Sequence, residues 1–245
     1  MEEQQGGRTA KQIQYLMLVI LFSLAFFLPA YGVMVQTRES SGTVGQESEK
    51  KGSFGTIVLD AGHGGSDPGM VGVSGITEKE LNLIYAQKLE KLLTEAGYEV
   101  VQTRTTEEGL YDPGETHQKA QDMQRRCAVI EKTKPLLTVS IHQNSYPDPS
   151  VCGPQVFYYE QSAEGEKLAS SIQASLNEAL GVARPRVQKG NGSYYILKRS
   201  LGTTVIVECG FLSNPAEEAK LQEEGYQDQV VKAICDGILS YLETI

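Results

Sequence analysis

The sequence predicts an α/β fold: a single domain with a mostly parallel sheet, helices on its faces, and a hydrophobic N-terminal segment ahead of it. Three observations carry this. Short β-branched runs alternate with helix-length segments along the chain. Several of those runs are apolar without a break, as in strands covered on both faces. Helix start and stop signals fall between them, in the strand, helix, strand order that builds parallel sheets.

The elements follow in order. Residues 55–61 (GTIVLDA) form a first strand. Residues 77–96 have helical periodicity, with Leu81, Ile84/Tyr85, Lys88/Leu89 and Leu92/Leu93 on one face. That helix opens on a capping box, Thr77-x-x-Glu80, and Gly97 stands at its stop. Residues 99–103 (EVVQT) are a second strand, 116–132 a second helix, and 136–141 (LLTVSI) a third strand. A Pro-rich loop at 146–154 leads to a strand at 155–159 and a helix at 164–180. Residues 203–209 (TTVIVEC) read as a buried strand, and helices at 215–221 and 227–242 close the chain. No internal repeat is visible.

The N-terminus has a different character. No charged residue occurs from Gln12 to Gln36, and residues 15–28 are almost wholly apolar. Arg8 and Lys11 precede them, as in the positive start of an export signal. Residues 16–28 suit a signal peptide, with small residues at Ala30 and Gly32. Residues 15–35 reach membrane-helix length, though Pro29 and Gly32 interrupt them. Residues 1–35 are therefore expected to be a signal peptide or a membrane anchor. Residues 36–54 form a Ser-, Gly- and charge-rich linker, and 55–245 the catalytic domain. Either fate of the N-terminus makes the domain extracytoplasmic.

Composition narrows the function. The 245 residues include 22 Lys+Arg and 31 Asp+Glu, a net charge of −9. An acidic chain is a poor partner for nucleic acid, whose non-specific binding rests on Lys and Arg against phosphate. At 40% hydrophobic and 22% charged, the sequence is that of a folded protein.

In parallel sheets, chemistry collects at the carboxyl ends of the strands. Of three histidines, two follow predicted strands directly: His63 in LDAGHGG and His142 in VSIHQN. Each alone reads equally as a hydrogen-bonded edge residue. Together, with a carboxylate added, they suit a three-ligand zinc site with an open fourth position. Asp60, Asp67, Glu78 and Glu80 are the nearby carboxylates. Glu80 is engaged by the capping box. Glu78, at the helix start, is free to face the strand ends, or simply complements the helix dipole.

Glu208 ends the apolar run VIVE. A carboxylate there is costly unless paired or used. It is either a general base beside a metal or half of a buried ion pair with Arg104 or Arg126. His117 lies away from any strand end and reads as a surface residue. Cys127, Cys152, Cys209 and Cys235 show no C-x-x-C spacing, so a cysteine zinc cluster is not expected; export would permit disulfides. A nucleophilic Cys209 lacks a neighbouring base of its own. Asn82 and Asn144 suit hydrogen bonding behind the site or turn and core roles. Tyr194 and Tyr195, in the loop 190–195, suit substrate contact or packing.

The segments LDAGHGGSDPG (59–69), GITEKELNL (75–83), TVSIHQN (138–144) and VIVECGFLSNPAEE (205–218) resemble the zinc-dependent N-acetylmuramoyl-L-alanine amidases of the type 3 family. The likeness covers about residues 55–242. It implies a twisted six-stranded sheet, one zinc ion held by His63, Glu78 and His142, and Glu208 as the catalytic glutamate. It implies cleavage of the amide between N-acetylmuramic acid and L-alanine in peptidoglycan. Gln143, Cys209 and Thr203 depart from the residues common in the family, which bears on substrate choice rather than on those four residues. One hydrophobic segment, one domain and no wall-binding repeat resemble the germination-specific amidases of endospore formers. That implies cortex peptidoglycan on the muramic δ-lactam route, and a forespore or cortex-side location. The membrane would be a further partner if the N-terminus is uncleaved, and an activator protein is a further expectation. Two other readings stand beside it: a non-catalytic peptidoglycan-binding regulator, and a zinc peptidase cutting within the stem peptide.

Overall fold

The computed structural model describes residues 53–245. The expected signal or anchor at 1–35 and nearly all of the 36–54 linker lie outside the described residues. No helix among the described residues is long and apolar enough to cross a membrane.

The elements run β1 (Thr56–Ala61), α1 (Glu78–Glu95), β2 (Glu99–Gln102), α2 (Gln118–Thr133), β3 (Leu137–Asn144), β4 (Gln155–Tyr158), α3 (Ala163–Ala179), β5 (Lys189–Gly190), α4 (Tyr195–Arg199), β6 (Thr204–Phe211), α5 (Pro215–Gln222) and α6 (Glu224–Leu242). They build one six-stranded sheet in the order β2-β1-β3-β6-β4-β5. The pairs β1/β2, β1/β3, β3/β6 and β4/β5 are parallel, and only β4/β6 is antiparallel. The mostly parallel six-stranded sheet is as expected.

Local chemistry explains the main boundaries. The Glu80 carboxylate accepts from the Thr77 N–H at 2.9 Å and from the Thr77 hydroxyl at 2.5 Å, fixing the start of α1. Ser162 caps α3 by accepting from the Gly165 N–H, and Asn214 caps α5, which has Pro at its start. Two short elements carry too little pattern to read from sequence: β5, two residues long, and α4, five.

The strands β3 and β6 run further than their apolar runs, to Asn144 and Phe211. His142 and Glu208 thus lie inside paired strands, directly opposite each other in register. The ladder shifts between His142 and Asn144, just past that pair.

Alternation along the strands divides the interior. Ile57, Leu59 and Ala61 of β1, Leu137, Val139 and Ile141 of β3, and Val205, Val207 and Cys209 of β6 join one large core with α1, α3 and α6. Fully burying a side chain such as Leu81 or Leu89 there stabilises the fold by about 1.5–3 kcal/mol. Helices α3 and α6 touch closely at Gly237, where a Cβ would strike the backbone of Ile172. The other face holds a smaller cluster: Val58, Phe157 and Ile206 with Ile130 of α2 and Ile196 and Leu197 of α4.

Candidate metal centre and active site

The strand ends bring together the four residues singled out from sequence. His63 lies in the loop after β1, Glu78 is the first residue of α1, and His142 and Glu208 sit near the ends of β3 and β6. The Glu78 carboxylate stands between the two imidazoles, 3.2 Å from His63 Nε2 and 2.9 Å from His142 Nδ1. The rings lie edge to face with centroids 5.0 Å apart. The donor atoms of His63, Glu78 and His142 fall within 4.8 Å of one another, so the group could hold a metal ion.

Glu78 is locked from several directions. The Met70 N–H donates to Oε2 at 2.9 Å, and the Gln143 N–H donates to Oε1 at 3.1 Å. Burial alone would push its carboxyl up, but the hydrogen bonds and charges of His142 and His63 outweigh burial and hold it well below the usual carboxylate range. Burial likewise pulls His142 down, and the Glu78 bond overrides it, raising the imidazole. Two imidazoles and one ionised carboxylate, converging with their lone pairs, match the donor set of an open three-ligand zinc site.

Surrounding residues fix these three side chains. Asp67, considered from sequence only as a candidate ligand, instead lies 3.0 Å from His63 Nδ1, behind the nitrogen that faces Glu78. Its i, i+4 spacing in HGGSD was the available signal. A carboxylate on the far ring nitrogen sets tautomer and ring orientation. Asn82 is buried and donates to the Gly62 carbonyl at 3.1 Å and to Glu78 Oε1 at 3.4 Å, so its place is behind the site. Asn144 lines the cavity, and its Oδ1 accepts from the Ser145 N–H. Gly62 must lack a side chain, because a Cβ would collide with the His142 imidazole.

Glu208 is the unsatisfied member. It is 8% exposed, and its Oε2 is buried with no hydrogen-bond partner. The ion pairs considered for it do not form. Arg126 binds Asp60 at 2.7 Å and Asp122 at 2.5 Å, and Arg104 donates to backbone carbonyls of Ala61, Gly62, Lys79 and Thr106. Burial therefore pushes the Glu208 carboxyl up to about 7, against His142 and with help from the Glu78 charge. A carboxyl poised near neutrality in a cleft is suited to proton transfer.

The site opens into a cavity of about 390 Å³, lined by His63, Glu78, His142, Glu208, Tyr194 and Tyr195 among others. Tyr194 packs edge-on against Phe157, with centroids 5.4 Å apart, so it both packs and faces the cavity. A neighbouring cavity of about 770 Å³ shares Asp67, Lys119, Asp122, Met123 and Tyr195 with it and is lined by His117. His117 stands just before α2 and is not part of the His63–Glu78–His142 group. Cys209 is fully buried in the large core, where burial pushes its thiol up, so the nucleophile reading fails. All four cysteines are free thiols.

The chain is similar to known proteins over most of the described residues. The N-acetylmuramoyl-L-alanine amidase family model matches residues 57–240. The germination-specific N-acetylmuramoyl-L-alanine amidase of Bacillus subtilis (strain 168) is 36% identical over 188 residues, covering 76% of this chain and 78% of that one. The N-acetylmuramoyl-L-alanine amidase LytC of the same organism is 32% identical over 188 residues, covering 76% of this chain and 35% of that one. The solved structure of the CwlD amidase from Clostridioides difficile, in complex with the GerS lipoprotein, superposes with a TM-score of 0.76 at 33% identity. It covers 78% of this chain and 100% of that one. On the strength of the family match and these relatives, the chain belongs to the N-acetylmuramoyl-L-alanine amidase family.

Proposed function

We propose that this chain is a zinc amidase of spore-cortex peptidoglycan, with His63, Glu78 and His142 as ligands to one zinc ion and Glu208 as the proton-transfer residue. The observation that carries the reading is the buried, unpartnered Glu208 carboxylate beside the His–Glu–His cluster. Zinc, when bound, supplies Lewis-acid stabilisation of negative charge on the reacting oxygens. His63 and His142 would hold the ion together with Glu78, and Asp67, on the far nitrogen of His63, fixes that ring. Glu208 accepts the proton of the attacking water and returns it to the departing alanine nitrogen. Its buried carboxyl, which no Arg or Lys claims, is free for both transfers.

The finer assignment to cortex rests on the germination-specific relative, of which the chain covers 78%. Action outside the cytoplasm, on the forespore or cortex side, follows from the same reading, with residues 1–35 as export signal or anchor and 36–54 as linker. An activating protein partner is part of the proposal, prompted by the similar CwlD amidase solved in complex with the GerS lipoprotein.

The test uses the full chain with zinc on cortex-type and vegetative peptidoglycan, with mass spectrometry of the products and a chelator control. Free stem peptides beginning at L-alanine, lost on chelation and more abundant from cortex material, are expected. Equal release from both walls would remove the cortex assignment. Cleavage inside the stem would make the protein a peptidase.

A further inference from the structure

The loop after β1 bends within three residues, and His63 takes a left-handed backbone conformation there, with φ of 61°. For a residue with a Cβ, that conformation is sterically unfavourable. It persists only where the surroundings over-determine it. Arg126, 1% exposed on α2, lies against this bend. Its Nη2 donates to the His63 carbonyl at 2.5 Å. Its Nη1 donates to the Ala61 carbonyl and to Asp60 Oδ1, both at 2.7 Å. Nε donates to Asp122 Oδ2 at 2.5 Å. The planar fork thus spans the bend from the carbonyl before Gly62 to that of His63 itself. Arg104 binds the Ala61 and Gly62 carbonyls but not the His63 carbonyl.

We propose that Arg126 is a positioning residue for His63: by holding the Ala61 and His63 carbonyls together it keeps the backbone left-handed and the imidazole turned toward Glu78 and His142. The inference rests on the proposed role of His63 as a metal ligand. The two carboxylates around Arg126 neutralise it, so its grip on the loop is geometric and needs the fork. Lysine keeps the charge but offers a single point of donation that does not span both carbonyls.

The experiment compares the wild-type full chain, Arg126→Lys and Asp122→Asn, each in mild detergent. Zinc affinity is measured by chelator competition, and the visible spectrum of the cobalt-loaded protein reports geometry at the metal. Thermal midpoints of the metal-free proteins serve as the fold control. Arg126→Lys should fold and lose zinc affinity by about 10–100-fold, with an altered cobalt spectrum. Asp122→Asn, which touches the guanidinium only at Nε, should keep wild-type affinity and spectrum. A folded Arg126→Lys protein with wild-type affinity and spectrum overturns the proposal, whatever its midpoint. If Arg126→Lys does not fold, Asp122→Asn decides: wild-type affinity supports the carbonyl grip, and a loss of about tenfold overturns it. A wild-type chain that binds no zinc would instead sink the metal reading itself, and this inference with it.

Discussion

Alternate residues of the same strands serve two unlike faces. On β6, Val205, Val207 and Cys209 enter the large core with α1, α3 and α6, while Ile206 faces α2 and α4 and Glu208 lines the cavity. On β1, Leu59 and Ala61 join the large core, while Asp60 meets Arg126 of α2. On β3, Val139 and Ile141 are core, while Ser140 donates to Asp60 and His142 reaches Glu78. One face is apolar and closed; the other carries a buried charge network and an open cavity. The apolar face supplies stability without direction. The polar face supplies fixed groups, and it tolerates the unpaired Glu208 because the opposite face carries the fold. Natural sites commonly break the rules of core packing where function needs it.

Substitutions on the two faces should therefore separate stability from activity. The largest effect is expected at Glu208. Glu208→Ala should lower turnover by about 10²–10⁴-fold or more, with zinc content and thermal midpoint retained. A variant with near-normal turnover would end its assignment. On the closed face, Leu89→Ala should cost about 2–5 kcal/mol in denaturant unfolding. Below its new melting point it should leave kcat and KM unchanged; a kinetic effect of similar size would mean that the faces are coupled.

The charge network lies between these extremes, and acid probes it. Burial alone would raise the Asp60 carboxyl, but Arg126 with the Ser140 and Thr103 hydroxyls outweighs burial and lowers it to about 2. A carboxyl depressed in the folded state stabilises the fold above its unfolded value, and that contribution is lost as pH falls through the folded value. Wild type should thus lose about 2 kcal/mol from this group between roughly pH 4 and pH 2. Asp60→Asn should be less stable at neutral pH, leaving Arg126 short of a partner, and flatter across that window. Parallel unfolding curves for the two proteins would show that Asp60 does not drive the acid limb. The smallest effect is expected at the rim: Glu80→Ala should cost roughly 1 kcal/mol by removing half of the capping box on α1. A larger loss, or a fall in zinc affinity, would mean that the cap also sets the position of Glu78.

Much of this was legible in the sequence because the causes are local. Strand and helix periods, the capping box at Thr77, and continuous apolar runs flanked by turns each depend on neighbours within a few residues. Of the four candidate residues, His63, His142 and Glu208 were legible because they follow such runs, where a polar group needs a reason, while Glu78 was singled out by its place at a helix start and by the family resemblance. The antiparallel entry of β4 and the two-residue β5 were not, since partners distant in sequence create them, nor was α4, whose five residues carry too little pattern. Nor could the sequence say that Arg126 answers to Asp60 and the His63 loop and leaves Glu208 unpaired. The chain by itself determined most of the strands and helices and which groups are available for chemistry. The tertiary structure decided who pairs with whom, because a buried charge takes the partner that packing across the sheet brings within reach.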